Sequence, residues 1–188
     1  MQITLMRHGK PITGKARWVA PVEMASWIEQ YDRSLVEQQG VPAECITAAA
    51  AASVIVASTA PRALSSVHAL GRHPGSGDAV FLEAELPYSF WNWPHLPPTV
   101  WAAVFRLCWL FGYSRGAESL HSTRARARAA AGQLASLAAQ GPVLLVGHGI
   151  MNRLIGKELR ASGWIARTKH GSRYWGTGVY EAPDAAPQ

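Results

Sequence analysis

Two short apolar runs in this chain end in the same way. Ile3 to Met6 gives way to Arg7-His8-Gly9, and Val143 to Val146, far downstream, gives way to Gly147-His148-Gly149. A β-compatible run of a few apolar residues, stopped by glycine, reads as a buried strand. A third run, Val54 to Ala57, passes into Ser58-Thr59-Ala60-Pro61-Arg62, where an arginine follows a proline near the favoured first position of a helix. In open α/β sheets ligands bind at the carboxyl ends of the strands. Arg7, His8, Arg62 and His148 are therefore expected along one edge, with Gly9 and Gly149 letting backbone and ligand approach closely. Either histidine alone would be explained as a structural residue; the three matching strand ends together point to a site.

Between these strands the sequence reads in order. Pro21 opens a helical pattern in which Met24, Ile28, Tyr31 and Leu35 recur at core spacing, closed by Gly40 and Pro42. An alanine-rich stretch, Ala48 to Ala52, leads into the second strand, and the helix from about Pro61 ends at Gly71. After a glycine-rich loop, Ala79 to Leu82 is expected as the third strand, with Glu83 and Glu85 just past its end. Either carboxylate is a candidate general acid, and solvated loop residues are the plainer account of both.

From Leu86 to Tyr113 aromatic residues and prolines crowd together, as an irregular loop and then a helix from about Thr99 that is apolar on nearly every face. Such a helix is either buried or covers an interface, so a homodimer stays open. This insertion, at about 86–116, is placed to roof a pocket, and Trp91 and Trp93 are its candidates for facing a substrate. Core packing accounts equally well for most of these aromatics. Glu118-Ser119 opens the next helix, with Ser119 as its cap. The late histidine strand follows, then a helix with Met151, Leu154, Ile155 and Leu159 inward and Gly163 as its stop. A last aromatic strand, Tyr174 to Tyr180, precedes a flexible tail, 183–188. Alternating strands and helices over 1–182 argue one layered α/β domain with a mainly parallel sheet.

The formal charge is +6 and the pI about 9.7, which favours anionic ligands. No nucleic-acid motif is present, and Arg124, Arg126 and Arg128 read as a solvated helix surface, so no nucleic-acid partner is expected. Cys45 and Cys108 lack metal-ligand spacing. Val100 to Phe111 is too short to span a bilayer and carries Arg106. With no secretory pattern at the amino terminus, the expectation is a soluble cytoplasmic protein without a membrane partner.

The ordered set Arg7-His8-Gly9, Ser58 to Arg62 with Ala63, Glu83, Glu118-Ser119 and Gly147-His148-Gly149 resembles the histidine phosphatase superfamily, also called phosphoglycerate mutase-like. The resemblance spans residues 3 to about 180. It implies a three-layer α/β/α fold with an antiparallel edge strand. It also implies a phosphatase in which His8 attacks phosphorus and becomes phosphohistidine, Arg7, Arg62 and His148 hold the phosphoryl oxygens, and Glu83, in preference to Glu85, is the general acid. Ser58, Gly9 and Gly149 fall to the substrate side of that site. Where many members carry an asparagine soon after Arg-His-Gly, this chain has Lys10-Pro11-Ile12-Thr13, so Lys10 and Thr13 stand in as phosphate contacts.

The residue types suit that chemistry independently. Arginine matches phosphate oxygens with two parallel hydrogen bonds and keeps its charge, and a neutral imidazole is a competent nucleophile. No metal or other cofactor is expected; the substrate is a small phosphorylated compound, inorganic phosphate or a phosphorylated protein side chain. The alternatives are a phosphate-binding or regulatory module without turnover, a phosphomutase, and a two-histidine metal site.

Overall fold

The computed structural model describes residues 1–14, 17–168 and 171–183. Six strands form one sheet in the order β3-β2-β4-β1-β6-β5: β1 Gln2–Arg7, β2 Val54–Ser58, β3 Ser76–Asp78, β4 Val143–Gly147, β5 Ile165–Ala166 and β6 Thr177–Glu181. The first four strands are mutually parallel, while β6 pairs antiparallel with β1 and β5 antiparallel with β6. The fold expectation holds: a mostly parallel sheet flanked by helices, with two antiparallel strands on one side where one was implied.

Side-chain alternation along the central strands builds the layers. Ile3, Leu5, Val56, Val143 and Leu145 face one cluster, shared with helices α5 (Leu120–Leu137) and α6 (Gly149–Ala161). Met6, Ile55, Ala57, Leu144 and Val146 face the other, shared with α2 (Ala43–Ala51) and α3 (Pro61–Ala69). A strand buried on both faces is mainly apolar, which is why these runs are nearly continuous rather than alternating, with Thr4 as the buried polar exception in β1. A third cluster lies off the sheet, where α1 (Met24–Asp32) packs on α4 (Pro98–Leu110) through Met24, Trp101 and Phe105.

Several expectations are corrected. Ala79–Phe81 is a single 3-10 turn and not a strand; the Asp78 carboxylate accepts from the Val80 amide at 2.9 Å and Phe81 turns inward, fully buried. The strand is the preceding Ser76–Asp78, an edge paired on one side only, which tolerates polar residues. The alanine-rich lead-in to β2 belongs to a helix, Ala43–Ala51, in keeping with alanine's propensity. Helix α1 stops at Asp32, so Leu35 is 55% exposed and Val36 takes its inward place. The final strand starts at Thr177, which frees Tyr174 and Trp175 from the sheet. The tail expectation falls mostly on 184–188, outside the described residues.

Helix α4 is not wholly buried: Trp101, Phe105 and Trp109 point inward, while Val100, Val104, Leu107 and Leu110 leave an apolar face on the surface. Among the described residues no helix is long and apolar enough to cross a membrane.

Gly156 in α6 faces β6, and a Cβ there would stand 2.1 Å from the Tyr180 hydroxyl oxygen. Glycine to alanine inside a helix ordinarily gains about 1 kcal/mol. Here overpacking against a buried ring reverses the sign, and Gly156→Ala is expected to cost about 1–3 kcal/mol. A lowered urea midpoint checks this; a raised one would mean that Tyr180 moves aside freely.

Candidate active site

Register puts the strand ends level. Arg7 lies opposite Gly147, and Ala57 lies opposite Val146, so the residues just past β1, β4 and β2 emerge side by side. The His8 and His148 rings meet edge to face with centroids 5.2 Å apart, both essentially buried.

Each imidazole is held through one nitrogen. His8 Nδ1 lies 2.8 Å from the Gly9 carbonyl oxygen, which can only accept, so Nδ1 carries the proton and Nε2 keeps its lone pair. His148 Nε2 lies 2.8 Å from Ser58 Oγ, and Ser58 Oγ accepts from the Ala60 amide. The Ser58 hydroxyl can give its proton to Nε2, and in that tautomer His148 Nδ1 is the nitrogen left with a hydrogen to donate. Burial is the main reason that the His8 pKa falls to about 3, followed by the Arg62 and Arg7 guanidiniums. His148 is lowered well below 6.5 by burial, then by Arg62 and His8. Both rings are neutral near pH 7.

The arginines are oriented but not saturated. Arg7 Nη1 donates to the Ser172 carbonyl, and its guanidinium lies 4.5 Å from the centre of the Tyr174 ring. Arg62, almost wholly buried, donates from Nη1 to the Asp32 carboxylate at 2.9 Å and lies over Tyr31. Arg7 Nε, Arg62 Nε and His148 Nδ1 are all buried without a partner. Buried polar atoms are ordinarily satisfied. Three together around one imidazole mark a place for an acceptor-rich anion.

The glycines act by close approach. A Cβ at Gly9 would fall 2.5 Å from the Trp175 ring, and one at Gly149 would fall 3.5 Å from Arg7 Nε. Trp175 has φ +62°, a left-handed conformation uncommon for a large residue, and its buried indole over Gly9 leaves Tyr174 above Arg7 and His8.

Glu83 sits where α6 begins. Its carboxylate accepts from the Met151 amide at 2.9 Å and the Ile150 amide at 3.3 Å, supplying the cap that His148 does not. The loop carrying it is held by arginines: Arg126 donates to the Val80, Leu82 and Glu83 carbonyls and pairs with Glu118, and Arg106 donates to those of Ala84 and Glu85. Arg126 is thus a structural clamp, correcting its assignment to a solvated surface. Glu85 accepts from the Glu118 amide at 2.6 Å.

A cleft of about 1180 Å³ opens beside these groups, lined by Arg7, Arg62 and Glu83, with Lys10 and Thr13 at its side. Lys10 is engaged with Glu37 at 3.0 Å. Trp91 and Trp93 do not line the cleft; they are 66% and 78% exposed on the outer surface, because the Val19–Leu96 bridge and the bond from Val22 N to Trp91 O fix that loop flat against its neighbours. The aromatic walls are instead Trp27, Tyr31, Tyr88 and Tyr174. Sequence reading missed Tyr31, Asp32 and Tyr174 at the arginines, and Asn152, whose buried Nδ2 donates to the Met6 carbonyl from under Gly147. A polar residue on the inner face of α6, four after His148, was the available signal for the last. Among the described residues no third histidine, cysteine or carboxylate joins the two imidazoles in a metal-ligand cluster.

No protein-family model matches the sequence, and no curated protein matches it. Solved structures do. The product of open reading frame Rv3214 from Mycobacterium tuberculosis superposes with a TM-score of 0.59 at 15% identity, over 100% of this chain and 94% of that one. The ecdysone phosphate phosphatase from Bombix mori, solved with tungstate, gives 0.55 at 13% identity over 100% and 94%. The fold is that of the histidine phosphatases. A mycobacterial glucosyl-3-phosphoglycerate phosphatase complexed with VO3 shares it at a TM-score of 0.50 and 22% identity, over 85% of this chain and 80% of that one. Within the histidine phosphatase fold, the level strand ends described above are where His8, His148, Arg7 and Arg62 gather.

Proposed function

We propose that the protein is a metal-independent phosphatase that hydrolyses a phosphomonoester through a phosphohistidine on His8. The observation that carries this reading is the trio of buried, unpartnered donors, Arg7 Nε, Arg62 Nε and His148 Nδ1, around an imidazole whose Nε2 lone pair is free. Named phosphatases among proteins of the same fold support it.

In the first step Nε2 of neutral His8 attacks phosphorus, and the bond to the ester oxygen breaks with its electron pair staying on that oxygen. Glu83, or a water beside it, gives the leaving oxygen its proton. Charge on the three phosphoryl oxygens is met by the guanidiniums and by His148 N–H, fixed donors that need no reorganisation in the transition state. Water then attacks phosphorus opposite Nε2, returns a proton toward the carboxylate and releases phosphate.

Arg62 meets the Asp32 carboxylate in the resting site, and an incoming phosphoryl group takes that place on its guanidinium. A second reading, a phosphate-binding module without turnover, is favoured by one feature: the Glu83 carboxylate is occupied by α6 amides. Hydrolysis of an aryl phosphate with chelator present, together with trapping of phosphoenzyme by a denaturing alkaline quench, decides between them. Turnover with an acid-labile, alkali-stable phosphoenzyme is expected; phosphate binding without either would establish the binding module.

A further inference from the structure

Resting on the phosphatase reading, we infer that the substrate is a phosphomonoester of a bulky, uncharged, apolar alcohol, with the hydrocarbon lodged between α1 and α4. The cleft beside Arg7 and Arg62, at about 1180 Å³, exceeds the upper end of the volumes that ordinarily enclose a drug-sized ligand. A triose or an amino-acid phosphate would leave most of it to water.

Away from the arginines, part of its wall is apolar. Trp27 and Tyr31 stack with ring centroids 5.2 Å apart and planes 18° from parallel, making a flat aromatic platform on α1. Leu86 and Tyr88 also line the cleft, as do Ala102 and Ala103 of α4. That helix buries Trp101 and Phe105 on the adjacent face, so its small residues toward the cleft hold the space open.

The charged lining residues do not provide a second recognition point. Arg106 is spent on the Ala84 and Glu85 carbonyls and Arg126 on Glu118 and three carbonyls, while Lys10, at the cleft's side, pairs with Glu37 on the surface. Glu85 and Glu118 are likewise engaged, with the Glu118 amide and with Arg126. Among the described residues, the cleft cations with buried donors left over are Arg7 and Arg62. A leaving group bearing a carboxylate or a second phosphate would lose its hydration with no uncommitted cation there to replace it. An apolar one gains with every methylene removed from water.

The test uses the full chain and primary alkyl phosphates (ethyl, hexyl and decyl, below micelle-forming concentrations), whose leaving oxygens are chemically alike. Glycerol 3-phosphate, 3-phosphoglycerate and a phosphotyrosine peptide complete the panel. Binding of ethylphosphonate and decylphosphonate is measured by calorimetry, which needs no turnover. We expect kcat/KM to rise at least about a hundredfold from ethyl to decyl, with the glycerol ester, the glycerate and the peptide near ethyl. Ala103 is exposed, so Ala103→Trp crowds the cleft without entering the core, and it should flatten the chain-length dependence. Equal turnover of ethyl and decyl phosphate, or a peptide better than decyl, would overturn the inference while leaving the phosphatase reading intact. No turnover of any ester, with decylphosphonate bound much more tightly than ethylphosphonate, would remove the phosphatase and keep the apolar subsite. No turnover and equal phosphonate affinities would remove both.

Discussion

His8→Ala is expected to lower aryl phosphate hydrolysis by at least about 10³-fold, to the level left by binding and electrostatics alone. The side chain is buried, its Nδ1 is committed to the Gly9 carbonyl, and Nε2 is its only nucleophilic atom. Nothing else at the site can replace it. His148 Nε2 is engaged with Ser58, and its Nδ1 is the nitrogen assigned the proton. The strands beside it are held by backbone pairing and not by the imidazole, so the variant should fold, with an unchanged far-ultraviolet spectrum and retained vanadate binding through Arg7 and Arg62. Turnover at a tenth of the wild-type rate or more would remove His8 as the nucleophile. Loss of vanadate binding together with activity would mean that the imidazole builds the anion site rather than attacking within it.

The second large effect is on stability against pH. In the fold the His8 pKa lies at about 3, lowered chiefly by burial and then by Arg62, whereas an unfolded histidine titrates near 6.5. Below pH 6.5 the unfolded chain therefore binds a proton that the folded one refuses. Stability must fall as pH falls from 6.5 toward 3, by about 1.4 kcal/mol per pH unit from this one group. His148 is shifted in the same direction and adds to the slope. Urea midpoints at pH 7.5, 6 and 5 should drop steeply for the wild type and by roughly one proton less for His8→Ala. Added phosphate should shallow the loss, since an anion on the guanidiniums favours the imidazolium form. Parallel slopes for wild type and variant would show that His8 does not stay neutral in the fold.

The sequence was most legible where local pattern and final environment agree. Strands β1, β2 and β4 could be read because burial on both faces leaves mainly apolar residues, and each run ends abruptly in polar residues or glycine. Ser119 could be read as a cap because an N-cap is a local hydrogen bond, here accepted from the Ser122 amide. The third strand was misplaced for the converse reason. Ala79 to Leu82 looks like a strand by composition, but its apolar side chains are wanted by α5, and the pairing edge fell to Ser76-Gly77-Asp78, which carries no strand signal. Trp91 and Trp93 were set toward the substrate because aromatic composition says nothing about which side of a loop a ring takes.

The sequence by itself determined that two histidines and two arginines end buried strands or open the helices after them, and so that they gather at one sheet edge. Strand ends are local features, and a parallel sheet offers only one edge for them. Only the tertiary structure decided what surrounds that site. Tyr174 reaches Arg7 and His8 from the far end of the chain, and Asp32 reaches Arg62 from the end of α1. The clamp of Arg126 and Arg106 on the Glu83 loop joins side chains from α5 and α4 to carbonyls 21 to 46 residues away. Carbonyls carry no sequence signature, and the cleft between α1 and α4 is a space rather than a residue, so both come into being only when the packed elements meet.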